Sequence, residues 1–205
     1  MAEILVIAAH PQLEHSRTTR RMMQAAEQAA TATGRVAVRD LYALYPDYLV
    51  DVTTEQAELA AARLVVWLHP VHWYSMPPLM KLWLDEVFAF RWAYGPGGEA
   101  LRGKDLWLAA STGGPQSSYR PDSYNRYFFD DFLHPYDQTA ALTGMRWLPP
   151  LLLHGAHCAD DATLQAHAAM FTQRLQTWPD WPEIFDMSCA PPCDVPDDAR
   201  PLVPT

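Results

Sequence analysis

Cysteine is scarce in this chain, which has three among its 205 residues. Three cysteines cannot build the disulfide framework of a small secreted domain, so we expect a protein of the reducing cytoplasm. No apolar run reaches the ~20 residues that a membrane-spanning helix needs. The first residues enter a strand pattern directly, and they lack the basic region and small-residue cleavage site of a signal peptide.

Positive charge is also in short supply. Lysine and arginine together number 15, against 24 aspartates and glutamates, which gives a formal net charge of -9. A chain of this charge is repelled by a nucleic-acid backbone and by an anionic membrane surface. We therefore expect no nucleic acid among its partners.

Several catalytic signatures are missing. The sequence has no GxGxxG loop for a dinucleotide, no GxxxxGK[ST] loop for a nucleoside triphosphate and no GxSxG elbow for a hydrolase. Histidines invite a metal interpretation, since His69 and His72 are close in sequence and His154, His157 and Cys158 form a cluster. None of these groups has the spacing of a known zinc motif, so we expect no metal site.

The sequence does contain a regular alternation of apolar runs with helical patterns. We predict strands at about 3–9, 35–40, 63–69, 105–111 and 146–153, and helices at about 17–33, 54–62, 77–90, 123–142 and 160–177. The third and fourth strands are continuously apolar, as in strands that are buried on both faces. The repeated strand–helix order predicts an α/β domain, with helices on both faces of a parallel sheet.

Glycine and proline mark the ends of these elements. Gly34 and Gly144 suit the ends of the first and fourth helices. Pro149 and Pro150 fall within the fifth strand and predict an edge position, because proline cannot donate to the ladder. We place one domain at residues 1–179 and a proline-rich, acidic tail without regular structure at 180–205.

In an open parallel sheet, ligands bind beyond the carboxyl ends of the strands, so the loops that follow the strands come next. After the first strand comes "HPQLEHSRTT", where a helix N-terminus offers backbone N–H groups to an anion. Ser16, Thr18 and Thr19 add hydroxyl donors, and His10 or Arg17 adds charge. A single phosphate would be held there. Ser16 could instead be only an N-cap, and the residues alone leave both interpretations open.

The loops after the third and fourth strands, "HPVHWYSMPP" and "STGGPQSSY", carry aromatic residues and glycines. Trp73 and Tyr74 could pack against a flat heteroaromatic ligand, with backbone N–H groups of 71–74 at its polar edge, or Trp73 could only fill the rim. Gly113 and Gly114 allow close approach of the backbone and unusual dihedral angles, or they could form only a turn. Their N–H groups could stabilise negative charge on a ring carbonyl.

These three loops, in this order, resemble those of the flavodoxin-like NAD(P)H:quinone oxidoreductases. The motifs are "AHPxxxxS", "HPxxWYSxPPLxKLWLDxVF" and "TGG", and "DLYALYPDYLVD", "WAYGPGGEALRGK" and "WLPPLLLH" extend the likeness. The sequence is most similar to the bacterial branch that includes the ancillary proteins of glutathione-regulated potassium-efflux systems. The resemblance covers about residues 3–177.

The resemblance implies a fold, an activity and an assembly. The fold is a flavodoxin-like three-layer sandwich with a five-stranded parallel sheet of order 2-1-3-4-5, in a homodimer with the active site at the subunit interface. The activity is ping-pong hydride transfer from NAD(P)H through non-covalent FMN to a quinone, with FAD as the alternative flavin. The other implied role is that of a regulatory flavoprotein subunit of a membrane potassium/proton antiporter, at the inner face of the membrane. A flavin-free binding module is disfavoured, because three such loops in order are hard to obtain by chance.

The resemblance also assigns residues to roles. The flavin phosphate would be held by His10, Ser16, Arg17, Thr18 and Thr19, the ring would lie along Pro70, Val71, His72, Trp73 and Tyr74, and its pyrimidine edge would meet Ser111, Thr112, Gly113 and Gly114. Tyr119 falls beside the ring, near the site of hydride transfer.

Two positions depart from the family pattern. Thr19 stands where the family has Asn, which predicts weaker contacts to phosphate without loss of binding. Asn125 stands where related reductases have a His that pairs with the Tyr. Charge on the reduced flavin must then be balanced by other groups, for which we consider His154 and backbone N–H groups.

Overall fold

The predicted strands come together in one parallel sheet. The computed structural model describes residues 2–184 and residue 187. Its strands are Ile4–Ala8 (β1), Val36–Asp40 (β2), Leu64–Pro70 (β3), Asp105–Ser111 (β4), Arg146–Trp147 (β5) and Leu151–Leu153 (β6). The spatial order is β2-β1-β3-β4-β5, with β6 also paired to β4. This is the flavodoxin-like order 2-1-3-4-5, and the prediction of the fold is confirmed.

The fifth predicted strand is split into two short pieces. Asp105 of β4 pairs with Arg146 of β5, and further along Ala109 pairs with Leu151 of β6. Pro149 and Pro150 lie between the pieces and have no N–H to give to the ladder. The predicted edge position is confirmed, and the prolines explain why the strand is not continuous.

Helices cover both faces of the sheet. They are Thr18–Thr33 (α1), Leu41–Leu44 (α2), Val52–Ala61 (α3), Pro78–Val87 (α4), His134–Thr143 (α5) and Asp161–Thr177 (α6). Gly34 and Gly144 end α1 and α5 in the left-handed conformation, with φ of 65° and 69°, as the sequence predicts.

The predicted helix at 123–142 is wrong in its first half. Residues 123–133 form turns and a 3-10 helical turn at Phe129–Phe132, and α5 begins only at His134. Pro135 occupies the first turn of α5, where its missing N–H costs nothing. The short helix α2 is absent from the prediction; the side chain of Asp40 caps it by accepting hydrogen bonds from the N–H groups of Tyr42 and Ala43.

The core lies on both sides of β3, whose first six residues are all buried. Val65 and Trp67 face the layer of α2 to α5, while Val66 and Leu68 face the layer of α1 and α6. Continuous apolar sequence in β3 is therefore explained by burial on both faces. No helix of the described part of the chain is long and apolar enough to cross a membrane.

The first residues of the predicted tail pack onto this core. Trp181 is 2% exposed and meets Trp107 edge-on, with ring centroids 4.9 Å apart. Ile184 is also buried, and a 3-10 helical turn spans Pro182–Ile184. The remainder of the predicted tail, residues 185, 186 and 188–205, lies outside the described residues.

Candidate functional site

A cavity of about 380 Å³ lies at the carboxyl ends of the central strands, which is the volume class of small-ligand sites. We call it the main cavity. Its walls come from the loops after β1, β3, β4 and β6. The lining residues are His10, Gln12, His15, Ser16, Arg17, Thr18, Pro70, Val71, His72, Ser111, Thr112, Gly113, Ala156 and His157.

The N-terminal turn of α1 forms one end of the main cavity. Ser16 lines the cavity and also acts as a cap, since its Oγ accepts the N–H of Thr19 at 3.0 Å. The remaining N–H groups of this turn have no partner within the helix and carry the positive end of its dipole. The side chain of Thr19 is 2% exposed and lies behind the cavity lining. This end of the main cavity suits an anion.

Charged and basic side chains flank the same end. Nη2 of Arg17 lies 3.3 Å from Oδ1 of Asp161, and Nη2 of Arg21 lies 2.8 Å from the same oxygen. Hydrogen bonds from Arg21 and Arg17 lower the pKa of Asp161. Burial, together with the nearby His72, lowers the pKa of His10. The Nδ1 of His10 accepts the N–H of Gln12 at 3.1 Å, so neutral His10 carries its proton on Nε2 and is a donor there.

The loop after β3 makes a tight turn. His72 and Ser75 exchange backbone hydrogen bonds of 2.9 and 3.0 Å, and the residues between them, Trp73 and Tyr74, have φ of 46° and 65°. The N–H of Val71 donates to the carbonyl of Ser111 at 2.8 Å. Of the backbone N–H groups proposed for the ring edge, those of Val71 and His72 are thus already used within the protein.

Trp73 and Tyr74 are not among the residues that line the main cavity. Trp73 is 92% exposed. Tyr74 stacks on Phe132 with ring centroids 4.9 Å apart, and its hydroxyl donates to Oδ1 of Asn125 at 3.2 Å. We use the name exposed aromatic rim for five exposed aromatic residues: Trp73, Tyr74, Tyr124, Tyr127 and Phe128.

The glycines of the loop after β4 lie close to neighbouring side chains. A Cβ on Gly113 would lie 2.9 Å from the ring of His157, and a Cβ on Gly114 would lie 2.9 Å from Oγ of Ser118. Neither glycine has a positive φ, so the expected unusual dihedral angles are not the reason for them. Gly113 lines the main cavity beside His157, whereas Gly114 lies outside the lining.

Tyr119 and His154 meet in a neighbouring cavity of about 440 Å³, which we call the side cavity. Its lining residues are Gln116, Tyr119, Phe128, Phe129, Asp130, Pro150, Leu151, Leu152 and His154. The rings of Tyr119 and His154 are 5.4 Å apart. Burial raises the pKa of the Tyr119 phenol. Burial also lowers the pKa of His154, although the nearby charge of Asp130 acts to raise it.

Thr112 joins the two cavities. It lines the main cavity, and its Oγ1 lies 3.0 Å from Nδ1 of His154. Asn125, which replaces the family histidine, donates from Nδ2 to Oγ of Ser118 at 2.9 Å. Asn125 thereby links the turns around Tyr74 and Tyr119.

Four lining residues were not predicted for this cavity: Gln12, His15, Ala156 and His157. Gln12 and His15 lie within the quoted loop after β1, and His157 lies in "HGAHC" after the fifth strand. Because that segment follows a strand, its position in the sequence could have identified it as part of the site. Within the described residues, no group of His, Cys, Asp and Glu side chains is arranged to hold a metal ion.

Comparisons with known proteins agree with this geometry. A model of the flavodoxin-like fold family matches residues 2–175. The glutathione-regulated potassium-efflux system ancillary protein KefF of Citrobacter koseri is 50% identical over 175 residues, which are 85% of this chain and 96% of the relative.

Two solved structures extend the comparison. General stress protein 14 of Treponema denticola, in complex with FMN, is 33% identical with a TM-score of 0.76, over 85% of this chain and 96% of that one. An NADPH-quinone reductase from P. pentosaceus is 26% identical with a TM-score of 0.72, over 84% of this chain and 96% of that one. The chain belongs to the flavodoxin-like fold family, and its relatives there include the ancillary proteins of glutathione-regulated potassium-efflux systems.

Proposed function

We propose that the chain is a flavin-dependent NAD(P)H:quinone oxidoreductase with FMN as its cofactor. The observation that carries the proposal is the main cavity, which joins the N-terminal turn of α1 to the loop Ser111–Gly113. The Treponema denticola relative with bound FMN supports it. The reaction is a ping-pong transfer of two electrons as hydride from NAD(P)H to a quinone, with donor and acceptor using one slot in turn.

The residues present fit FMN. The phosphate would meet the N–H groups of the first turn of α1, with Ser16, Arg17, Thr18 and the Nε2–H of His10 as side-chain donors. The ring would lie between Pro70–His72 and Ser111–Gly113. FAD remains the alternative flavin: an adjoining cavity of about 520 Å³, which shares His10, leaves room beyond the phosphate end. The mass of the flavin released from purified protein distinguishes the two.

Bound FMN would supply the two-electron redox chemistry that amino-acid side chains lack. The chain itself positions the reactants and handles charge. N–H groups near Gly113 would stabilise negative charge at the pyrimidine edge. Tyr119, whose raised pKa keeps its phenol protonated, would donate a hydrogen bond to the developing quinol oxygen.

The proposed assembly is a homodimer with the site at the subunit interface. The exposed aromatic rim supports this, because several exposed apolar side chains grouped on one surface mark an interaction site. Trp73, Tyr124, Tyr127 and Phe128 are 92%, 71%, 59% and 56% exposed.

The first test is an absorbance spectrum of the purified protein, followed by NADPH without oxygen. Flavin bands that bleach on NADPH and recover on addition of a quinone support the proposal. A colourless protein that fails to take up added FMN or FAD overturns it.

A regulatory role is the second candidate function. The 50% identity to a potassium-efflux ancillary protein favours it, and the net charge of -9 suits a basic docking surface. In this role the chain docks from the cytoplasm on a membrane potassium/proton antiporter, and both functions can hold together. Co-purification with the antiporter from solubilised membranes, measured at increasing salt concentration, tests the contact. Failure of the two proteins to co-purify at low salt contradicts this role.

A further inference from the structure

The Thr112 hydroxyl fixes which nitrogen of His154 carries the proton. Oγ1 of Thr112 lies 2.8 Å from the carbonyl oxygen of Gly114, and a carbonyl can only accept. The single hydroxyl proton of Thr112 is therefore given to Gly114. His154 Nδ1, 3.0 Å from the same Oγ1, must then be the donor. Neutral His154 is thus the Nδ1–H tautomer, with a lone pair on Nε2.

The two side chains are held in register by the backbone. The N–H of Thr112 donates to the carbonyl of Leu153 at 2.9 Å, and the carbonyl of Thr112 accepts the N–H of Ala156 at 2.9 Å. Thr112 is 1% exposed. The hydrogen bond between Thr112 and His154 therefore joins two segments that cannot slide past one another.

The far side of His154 faces the side cavity. No described side chain forms a hydrogen bond with its Nε2. The groups around the imidazole are Asp130, the charged residue of the side cavity, the phenol of Tyr119 and the ring of Phe129. His154 thus touches the side cavity with one nitrogen and Thr112, a wall of the main cavity, with the other.

The proposed reaction needs a proton from solvent. NAD(P)H supplies two electrons and one proton as hydride, whereas a quinol carries two more hydrogens than the quinone. We propose that Thr112 and His154 form a relay that brings this second proton from the side cavity to the acceptor in the main cavity, an inference that rests on the proposed function. In this step the Thr112 hydroxyl turns from the Gly114 carbonyl to the acceptor oxygen and gives up its proton. Its oxygen then takes the Nδ1 proton of His154, and Nε2 of His154 takes a proton from water.

The tautomer provides a readout that is independent of turnover. Nitrogen-15 NMR of histidine-labelled protein distinguishes Nδ1–H from Nε2–H imidazole. We expect Nδ1–H for His154 in the wild type and in Thr112→Ser, and loss of that preference in Thr112→Val. An Nε2–H tautomer in the wild type overturns the relay.

Half-reaction kinetics test the relay itself. Reduction of the enzyme by NADPH takes up no solvent proton, so Thr112→Val and His154→Asn should slow it far less than they slow reduction of the quinone. Reduction of the quinone should slow about 100-fold in both, the usual scale of a lost acid–base group. Thr112→Ser keeps the hydroxyl and should restore the rate. His154→Asn keeps a donor towards Thr112 but cannot pass a proton on, which separates proton transfer from structural support.

The outcomes are distinct. The exposed His134, at the start of α5, provides the control His134→Gln, which should leave both half-reactions unchanged. An active enzyme in which Thr112→Val and His154→Asn reduce quinone at the wild-type rate overturns the relay and leaves the proposed function standing. A flavin-loaded wild type that turns over no quinone overturns both.

Discussion

Gly113 shows how one missing side chain shapes the site. A Cβ at this position would overlap the ring of His157, which lines the same cavity from the loop after β6. With a side chain at this position, the ring of His157 would have to move from the place it now occupies. The role of Gly113 is therefore steric, at a point where two walls of the main cavity meet.

We expect Gly113→Ala to weaken FMN binding about tenfold, or about 1.4 kcal/mol, because the added methyl pushes the His157 ring out of place. Fluorescence titration of FMN into apoprotein measures the change. The double variant with His157→Ala regains the space and should bind FMN as His157→Ala alone does. Equal weakening in the single and double variants would show that the ring of His157 is not the cause.

His69 is a buried histidine without charge. It is fully buried on β3, stacks on Tyr136 of α5 with centroids 5.8 Å apart, and has an Nε2 with no partner among the described residues. Burial lowers its pKa to about 4. The unfolded chain takes up this proton near pH 6.5, so stability falls as the pH drops from 6.5 towards 4.

This histidine should make the protein acid-sensitive. Between pH 7 and pH 5 we expect His69 to remove about 2 kcal/mol from the free energy of unfolding. In His69→Gln the amide can still donate to the carbonyl of Pro70, which the Nδ1 of His69 meets at 2.9 Å, and it does not titrate. Urea unfolding at both pH values should show a smaller loss in His69→Gln, and the exposed-site variant His134→Gln should match the wild type. A loss unchanged in His69→Gln would contradict the prediction.

At the scale of elements, periodicity identified the strands and most of the helices, because burial on one or both faces leaves a direct pattern in the sequence. It failed where a proline or a capping side chain sets the ends of an element. Pro149 and Pro150 divided a strand whose apolar pattern is continuous, and Pro135 set the start of α5 later than the pattern suggested. Asp40 capped a helix too short to have a period.

Prediction of the site likewise succeeded where strand order decides and failed where the packing of loops decides. Topology pointed to the loops after the strands, and the resemblance named residues within them; His10, Pro70 and Thr112 do line the main cavity. His157 was weighed only as a metal ligand, because its approach to Gly113 depends on how two loops pack. The sequence also did not predict that the side chain of Trp73 points into solvent, because this depends on a turn with positive φ.

The segment from Trp178 to Ile184 acts as a further structural element. Trp178 donates from Nε1 to Asp105 at 2.8 Å, and Trp181 and Ile184 are buried against Trp107 and its neighbours. We expect a chain ending at residue 177 to lose about 4 kcal/mol or more in urea unfolding relative to a chain ending at residue 187, since it exposes a large aromatic contact. Equal stability of the two truncations would show that this segment adds nothing to the core.

At the scale of the whole molecule, the exposed aromatic rim is the feature that the single chain does not explain. Trp73 and Tyr74 are held by a turn of positive φ, beside Tyr124, Tyr127 and Phe128. Such backbone conformations cost energy and persist where the surroundings enforce them. A second copy of the chain that covers these rings would account for both their exposure and their fixed direction.

We expect Trp73→Ser to shift the protein from dimer to monomer, because it removes the most exposed ring of the rim. Sedimentation equilibrium over a range of concentrations measures the shift. Met170→Ser, a change at an exposed apolar residue on α6, is the matched control and should leave the assembly unchanged. A wild type that is monomeric at all concentrations would contradict the proposed homodimer.

The divided strand beside β4 has a consequence for how molecules of this protein meet. An open sheet edge is a template for the backbone of another molecule, and a long regular edge invites aggregation. Here the edge consists of a two-residue and a three-residue strand separated by two prolines, and the opposite edge, β2, runs straight into α2. Within residues 2–184, the edge beside β4 therefore offers no long regular ladder for the chain of a neighbour to extend.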